Sequence, residues 1–489
     1  SDFALNKKEK SRGVYGKRTT LYDNYEFNHP KDKEYYEKVV YNYEEDVYNR
    51  EDDFWQKNRL EVLNKDEKGV YKMLDTLKTV KKFKRLYNLG SILASGYVEF
   101  PSINFDYGPI FSTFGFNEVE GLRLRTGGRT YFGPNDIWRL EGFIAYGFRD
   151  DKFKYGISGK WLLDKRSRLT LFGGNRRDVE QIGASLTSST DVLGRSLASS
   201  SVISTGANDK LTNISLTNLG MSIEPARNFE VRLDGSFREL RSASPTFSLD
   251  YNDLESPTGI SSEVKQFESR LSLAYYPKRQ MTGFGVERKN KNDNFARLFA
   301  QVSKGDRNWF DSDFNYTKVQ FSYIKPWQVG GFGRLTTSIE AGKTFGEVPL
   351  SLLSVVPGNQ TYFSIYNTFS QLDFYEFVTD TYTSMHLEHN FNGRVFSRIP
   401  FLKKYNLRAI LSLRGVWGEL SDENIALSTT GNVVEFPLIA PDSRAYYEYS
   451  FGVANIFKVL RLDFNFRGNY LDNPGARRFG VTGSFGFYF

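Results

Sequence analysis

From about residue 95 onward, apolar and polar side chains alternate in segments of roughly 10–14 residues separated by turn residues. In 137–148, Trp138, Leu140, Ile144, Tyr146 and Phe148 share one face, and Arg139 and Glu141 share the other. In 228–238, Phe229, Val231, Leu233 and Phe237 oppose Glu230, Arg232, Asp234 and Arg238. In 265–276, Phe267, Leu271, Leu273 and Tyr275 oppose Glu268, Arg270 and Ser272. In 461–470, Leu462, Phe464, Phe466 and Tyr470 oppose Arg461, Asp463, Asn465 and Arg467. A period of two is the signature of a strand with one dry and one wet face.

About sixteen such segments follow one another, near 105–116, 120–131, 137–148, 152–163, 167–177, 210–224, 228–241, 263–276, 294–304, 313–326, 331–345, 380–392, 405–418, 443–456, 457–470 and 477–489. Several connections are tight (225–228, 328–331, 458–461), whereas others are long (178–209, 242–262, 346–379, 419–442). An even strand number with short turns at one end and long loops at the other is the pattern of an outer-membrane barrel.

Residues 1–94 read differently. They are dense in charge and Tyr, and helical spacing replaces alternation. Asn64 and Glu67 form a capping-box pattern, and Val70, Met73, Leu74, Leu77 and Val80 then line one face, which predicts a helix near 64–86. The expected organisation is therefore a periplasmic N-terminal segment over 1–94 and a barrel over 95–489. The fold class is all-β, a transmembrane antiparallel β-barrel of about 16 strands with a small helical N-terminal segment.

Composition sharpens this picture. Phe numbers 42, Tyr 30 and Trp 6, so 16% of the 489 residues are aromatic. A soluble antiparallel sheet also alternates, but it would carry small aliphatics inside and far fewer aromatics. Tyr and Trp favour the membrane–water interface. The low mean hydropathy, −0.48, excludes a helical membrane bundle, and no apolar run approaches the length of about 18 that a spanning helix needs. Cys is 0, which excludes disulfides, thiolate metal sites and thiol catalysis; His is only 3. The net charge of +7 is spread along the chain rather than gathered in a stripe, so no nucleic-acid partner is expected. Lys81, Lys82, Lys84 and Arg85 are the densest basic group; a solvated helix end is the better reading, and contact with anionic lipid head groups is the alternative. The sequence starts at Ser1 without a charged leader and apolar core, so any signal peptide is expected to have been removed. The last segment ends on Phe485, Phe487 and Phe489 of one face, a terminal aromatic pattern that resembles the recognition signal of bacterial outer-membrane proteins.

Longer stretches carry a family resemblance. They are DDFWQKNRLEVLNKDEKGVYKMLDTLK (52–78), NEVEGLRLRTGGRT (117–130), SDFNYTKVQF (312–321), EAGKTFGEVPLSLLSVVPGNQTY (340–362), FYEFVTDTYTSMHLEHNFNG (374–393) and IPFLKKYNLR (399–408). They resemble a Bacteroidetes family of outer-membrane barrels without assigned function, often found behind a carboxypeptidase-regulatory-like β-sandwich. More distantly, the order of the last six strands is similar to the BamA/TamA/FhaC superfamily. That resemblance implies a sixteen-stranded barrel with a weak seam between first and last strands, an inward-folding loop after strand eleven, and polypeptide clients. The superfamily loop bears an arginine at its tip that pairs with an aspartate on strand thirteen. Here the tip reads VPGNQTYFS, and the aspartate position falls on Leu413 or a neighbour. Tandem POTRA modules are not legible in the first 90 residues.

Two groups of residues are candidate sites. Pro357, Gly358, Asn359, Gln360 and Tyr362 form the most specific polar loop motif. It reads either as a turn that fixes a loop within the lumen or as a contact that gates or receives a client. Ser384, His386 and Glu388 share the polar face of one strand, with Asn390 beyond them. Side chains two apart on a strand lie about 6.6–7 Å apart, too far for a Ser–His relay, and no oxyanion donor is suggested; a lumen hydrogen-bond cluster is the better reading. The Ser- and Thr-rich loop 178–209 reads either as a mobile extracellular lid or as a disordered tip. The expected function is non-enzymatic, in outer-membrane protein assembly, export or secretion. The alternative is a channel or scaffold subunit of a larger outer-membrane complex. Outer-membrane lipid is the expected surrounding, client polypeptides or other subunits are the expected partners, and no cofactor or metal is expected.

Overall fold

The computed structural model describes residues 21–32, 50–130, 133, 135–182, 208–244, 246–428 and 438–486. The chain divides into two units near Gly90. In the first unit α1 spans Asp52–Asn58 and α2 spans Lys65–Thr79, and the chain then enters α3, Lys81–Ser95. The Asn64 side chain accepts from Glu67 N at 2.9 Å and Asn64 N donates to Glu67 at 2.8 Å, so two otherwise orphaned donors at the start of α2 are satisfied. The sequence pattern predicts one helix over 64–86, but Val80 is extended (ψ 114) and divides it into two. Val70, Met73 and Leu74 remain about half exposed on α2.

The second unit is built on one antiparallel ladder. A short strand, Val98–Phe100, pairs antiparallel with Phe105–Tyr107 at the start of the ladder; β1 is shared by Phe105–Tyr107 and Phe114–Asn117, which pair with the two ends of β2, Gly121–Thr130. Gly108 and Pro109 interrupt it, because proline cannot donate to a ladder. The succession then runs β3 Trp138–Gly147, β4 Lys152–Asp164, β5 Leu169–Glu180, β6 Thr212–Ala226, β7 Phe229–Ser242, β8 Glu263–Tyr275 and β9 Arg297–Gly305. It continues with β10 Tyr316–Gln328, β11 Arg334–Phe345, β12 Thr381–Asn390, β13 Arg408–Glu419, β14 Tyr446–Ile456, β15 Leu460–Arg467 and β16 Phe479–Phe485. Each strand pairs with the next. All sixteen segments expected from alternation are therefore strands. β15 stops at Arg467, short of the expected 470; Tyr470 turns back at φ 52 and packs 5.2 Å from Phe377.

The two faces follow the alternation. Ile144, Phe153, Ile157, Trp161, Leu219, Leu233, Leu271, Phe321, Met385, Leu411 and Tyr449 are exposed on the outer face of successive strands. Phe153 is 70% and Leu219 72% exposed, which in water would form an unprotected apolar belt far larger than a soluble surface carries. The inner face holds buried ions in networks. Arg123 bonds Glu120 at 2.8 Å and Asp178 at 2.7 Å; Asp234 takes Arg232 and Arg270; Glu268 takes Arg238 at 2.7 Å. Each ion is costly to bury and costlier to leave alone, so the network stiffens the wall.

The segment between β11 and β12 runs inside this wall. Residues 348–361 are buried throughout. Val348, Leu350, Leu353, Tyr375 and Val378 pack with Ile214, Leu240 and Val264 of β6–β8, while Val356, Phe369, Leu372 and Phe377 pack with Val416 and Tyr446 of β13–β14. The sheet thus curls around its own loop. At the end that carries the tight turns, the β8–β9 connection is longer than a turn. It forms a small hairpin, Met281–Thr282 with Lys289–Asn290, and reaches the β2–β3 turn through Val286 N to Asp136 O at 2.7 Å.

Candidate functional site

The candidate site is where the inner loop meets the last strand of the ladder. Among the described residues no strand pairs with β16 on the side away from β15, and none pairs β1 with β16. Among the described residues the seam between first and last strands therefore carries no ladder hydrogen bonds. The inner loop reaches that seam.

The loop motif is held by its own backbone and by arginines from the barrel end. Asn359 N donates to Phe369 O, and Phe369 N donates to Pro357 O, both at 2.9 Å, so Gly358 lies against the returning strand of the loop. A Cβ on Gly358 would sit 2.7 Å from the carbonyl oxygens of both Leu372 and Asp373, which explains glycine here. Asn359 is fully buried; its Oδ1 accepts from Thr361 N and Oγ1, and its Nδ2 donates to Phe363 O at 2.8 Å. Gln360 Nε2 donates to Asp373 at 3.1 Å. Arg477 donates to Asn359 O and Leu372 O and pairs with Asp373 at 3.3 Å. Pro357, Gly358, Asn359 and Gln360 are thus internal, whereas Tyr362 is half exposed.

The principal anchor lies elsewhere. Glu448 on β14 is fully buried and accepts from Ser370 N at 2.9 Å, from Gln371 N at 2.8 Å and from the Tyr446 hydroxyl at 2.7 Å. Arg414 on β13 lies 3.6 Å from the same carboxylate and donates to Ser370 Oγ at 2.9 Å. Arg467 on β15 grips Glu376 with two bonds, and Asn367 donates to Glu340 on β11 at 2.6 Å. The superfamily resemblance implies an arginine at the loop tip facing a strand carboxylate. Here backbone N–H groups face the carboxylate instead, and the arginines come from the wall. Leu413 points outward, 43% exposed, so the inward position beside it is Arg414.

Sequence reading did not single out Glu448, Arg414 or Arg467. Their signal was only membership of a polar face, which every lumen charge shares.

Ser384, His386 and Glu388 all face the lumen from β12. They do not form a relay. Ser384 Oγ is buried with no hydrogen-bond partner, the His386 ring packs 4.9 Å from that of Phe369, and Glu388 bonds Arg461 on β15 at 2.7 Å. His386 and Glu388 line a cavity of about 450 Å³ beneath Ser364–Asn367, together with Arg297, Arg334 and Arg461. At its mouth Asp293 bonds Arg334 at 2.7 Å, and that hydrogen bond holds its carboxyl below the usual range. Among the described residues no group of three metal-ligating side chains is assembled. Phe485 ends β16 at 73% exposure; Phe487 and Phe489 lie outside the described residues, as does most of the 178–209 loop.

Residues 252–423, the stretch from the β7–β8 loop to just past β13, match the C-terminal domain of a family of unknown function, DUF5686. No curated protein matches the sequence. Among solved structures, the chain is similar to BamA from Haemophilus ducreyi lacking POTRA domains 1–3, at 10% identity and a TM-score of 0.45, over 78% of this chain and 70% of that one. It is also similar to CdiB from Escherichia coli, at 12% identity and a TM-score of 0.41, over 79% and 62%. For CdiB from Acinetobacter baumannii the values are 12%, 0.36, 76% and 57%.

Proposed function

We propose that the chain is a non-enzymatic outer-membrane β-barrel that handles polypeptides, in outer-membrane protein assembly, export or secretion. One observation carries the reading. Among the described residues the one route through the wall that costs no ladder hydrogen bonds is the β1–β16 seam, and the inner loop touches the β16 side of it at Phe363 and Gly483. A barrel built only to be a wall would seal its edges, since unpaired backbone groups are expensive in lipid. The charged lumen face and apolar outer face support placement in a membrane, and the N-terminal unit is read as periplasmic. Outer-membrane lipid is then the solvent of the belt, and client chains or neighbouring subunits are the partners.

A channel or scaffold is the second reading. The inner loop and its two clusters occupy the lumen, which favours the first reading over an open pore. The test is depletion of the protein in its own cells together with crosslinking from native membranes. The proposal expects assembly or secretion components, or nascent barrels, to be captured. Capture of neither, with unchanged outer-membrane protein levels, would contradict it.

A further inference from the structure

The inner loop surfaces at only one stretch near the seam. Residues 348–361 and 368–372 are buried or nearly so, yet Tyr362 is 50% and Phe363 43% exposed. There the loop pairs with the last strand. Gly483 N donates to Tyr362 O at 2.8 Å, and Ser364 N donates to Gly483 O at 2.9 Å. The Ser364 hydroxyl adds bonds to Asp463 at 3.1 Å and to Thr482 Oγ1 at 3.0 Å. Gln371 packs where a side chain on Gly480 would stand.

The direction of this pairing is informative. Phe363 and Gly483 form a parallel bridge, whereas every neighbour in the ladder is antiparallel. In a sheet of sixteen alternating strands, β1 would meet β16 antiparallel. The loop therefore does not extend the sheet or replace β1. It occupies the backbone groups of one residue on an otherwise free edge.

We propose that Tyr362–Ser364 is a releasable internal cap on the outer edge of β16, which blocks pairing of that edge with an extended strand of another chain until the loop withdraws. An exposed edge strand is a template for other strands, and two backbone bonds plus one hydroxyl are enough to bias that competition without sealing it. Each bond shifts such a balance by about five-fold, taking a net hydrogen bond of about 1 kcal/mol. The inference rests on the client-handling reading and adds its regulation. The rest of the loop is retained by Glu448, Arg467 and Arg477, so release is local rather than expulsion of the whole segment.

The absence of native cysteine makes the test clean. In purified full-length protein in lipid vesicles, the double variant Ser364→Cys with Thr482→Cys should form an intramolecular disulfide on mild oxidation. The probe is a synthetic photoreactive peptide with the sequence of residues 478–489. Its crosslinking to β16 should fall at least ten-fold in the oxidised form and return on reduction. A second variant, Ser364→Pro, removes both the backbone N–H and the hydroxyl without a crosslink and should raise capture at least about five-fold over the unmodified protein. Equal capture in the oxidised and reduced forms, no capture in any form, or failure of the disulfide to form would each overturn the cap. A depletion phenotype that persists alongside any of these would leave the client-handling reading standing without it.

Discussion

At the scale of single residues, the site depends on one carboxylate. Glu448 satisfies two loop N–H groups and a tyrosine hydroxyl within a wall where water cannot substitute. Glu448→Ala takes the carboxylate away from Arg414 and leaves three buried donors, the Ser370 and Gln371 N–H groups and the Tyr446 hydroxyl, without their acceptor, a loss on the order of 3–5 kcal/mol. The fold of an unboiled sample on a gel should then be lost at a lower temperature, and protease should cut between 348 and 377. Glu448→Gln keeps one acceptor and should fall between the two. Gly358→Ala should likewise expose the loop to protease while leaving the strand ladder intact, because the added Cβ meets two carbonyls at 2.7 Å and the loop must shift. The sequence made the turn chemistry at Pro357–Asn359 legible but not its supports. Side-chain type reports that a residue is polar; it does not report that Glu448 on β14 meets Ser370 in the loop, because that contact is set by the curl of the sheet.

At the scale of elements, alternation located the strands because a period of two leaves no freedom about which face is dry. Leu233 lies outside and Asp234 inside, as their positions in the pattern require. The pattern was less informative where a local break overrides it, as at Gly108–Pro109 in β1 and at Val80 between α2 and α3. The lipid-facing reading of the outer face predicts a depth-dependent asymmetry. Ile157→Arg in mid-β4, at a residue 51% exposed, should destabilise the barrel by about 2–4 kcal/mol in refolding from lipid. An equivalent result in detergent-free buffer, with Ile157→Arg tolerated and the wild type remaining soluble and monomeric, would contradict it. For α2, Asn64→Ala should cost about 1 kcal/mol, seen as faster amide exchange over residues 65–79, and Asn64→Ser should restore protection.

At the scale of the whole molecule, the aromatic excess and the low mean hydropathy have one physical cause. A wall one residue thick must be apolar toward lipid and polar toward its own interior. The β11–β12 loop runs through the interior and packs on β6–β8 and β13–β14, so purified protein in planar bilayers should show no large sustained conductance, and deletion of residues 348–377 should produce one. The closure of the sheet was not legible, because register says which neighbours pair and is silent on whether the last strand finds the first. Among the described residues that seam carries no ladder, and the proposed polypeptide-handling role rests on it. Its most direct test is the protein composition of the outer membrane after depletion. The account predicts that a defined subset of outer-membrane or secreted proteins is lost while lipid and periplasmic content is unchanged. An unaltered outer-membrane protein profile in fully depleted cells would contradict it.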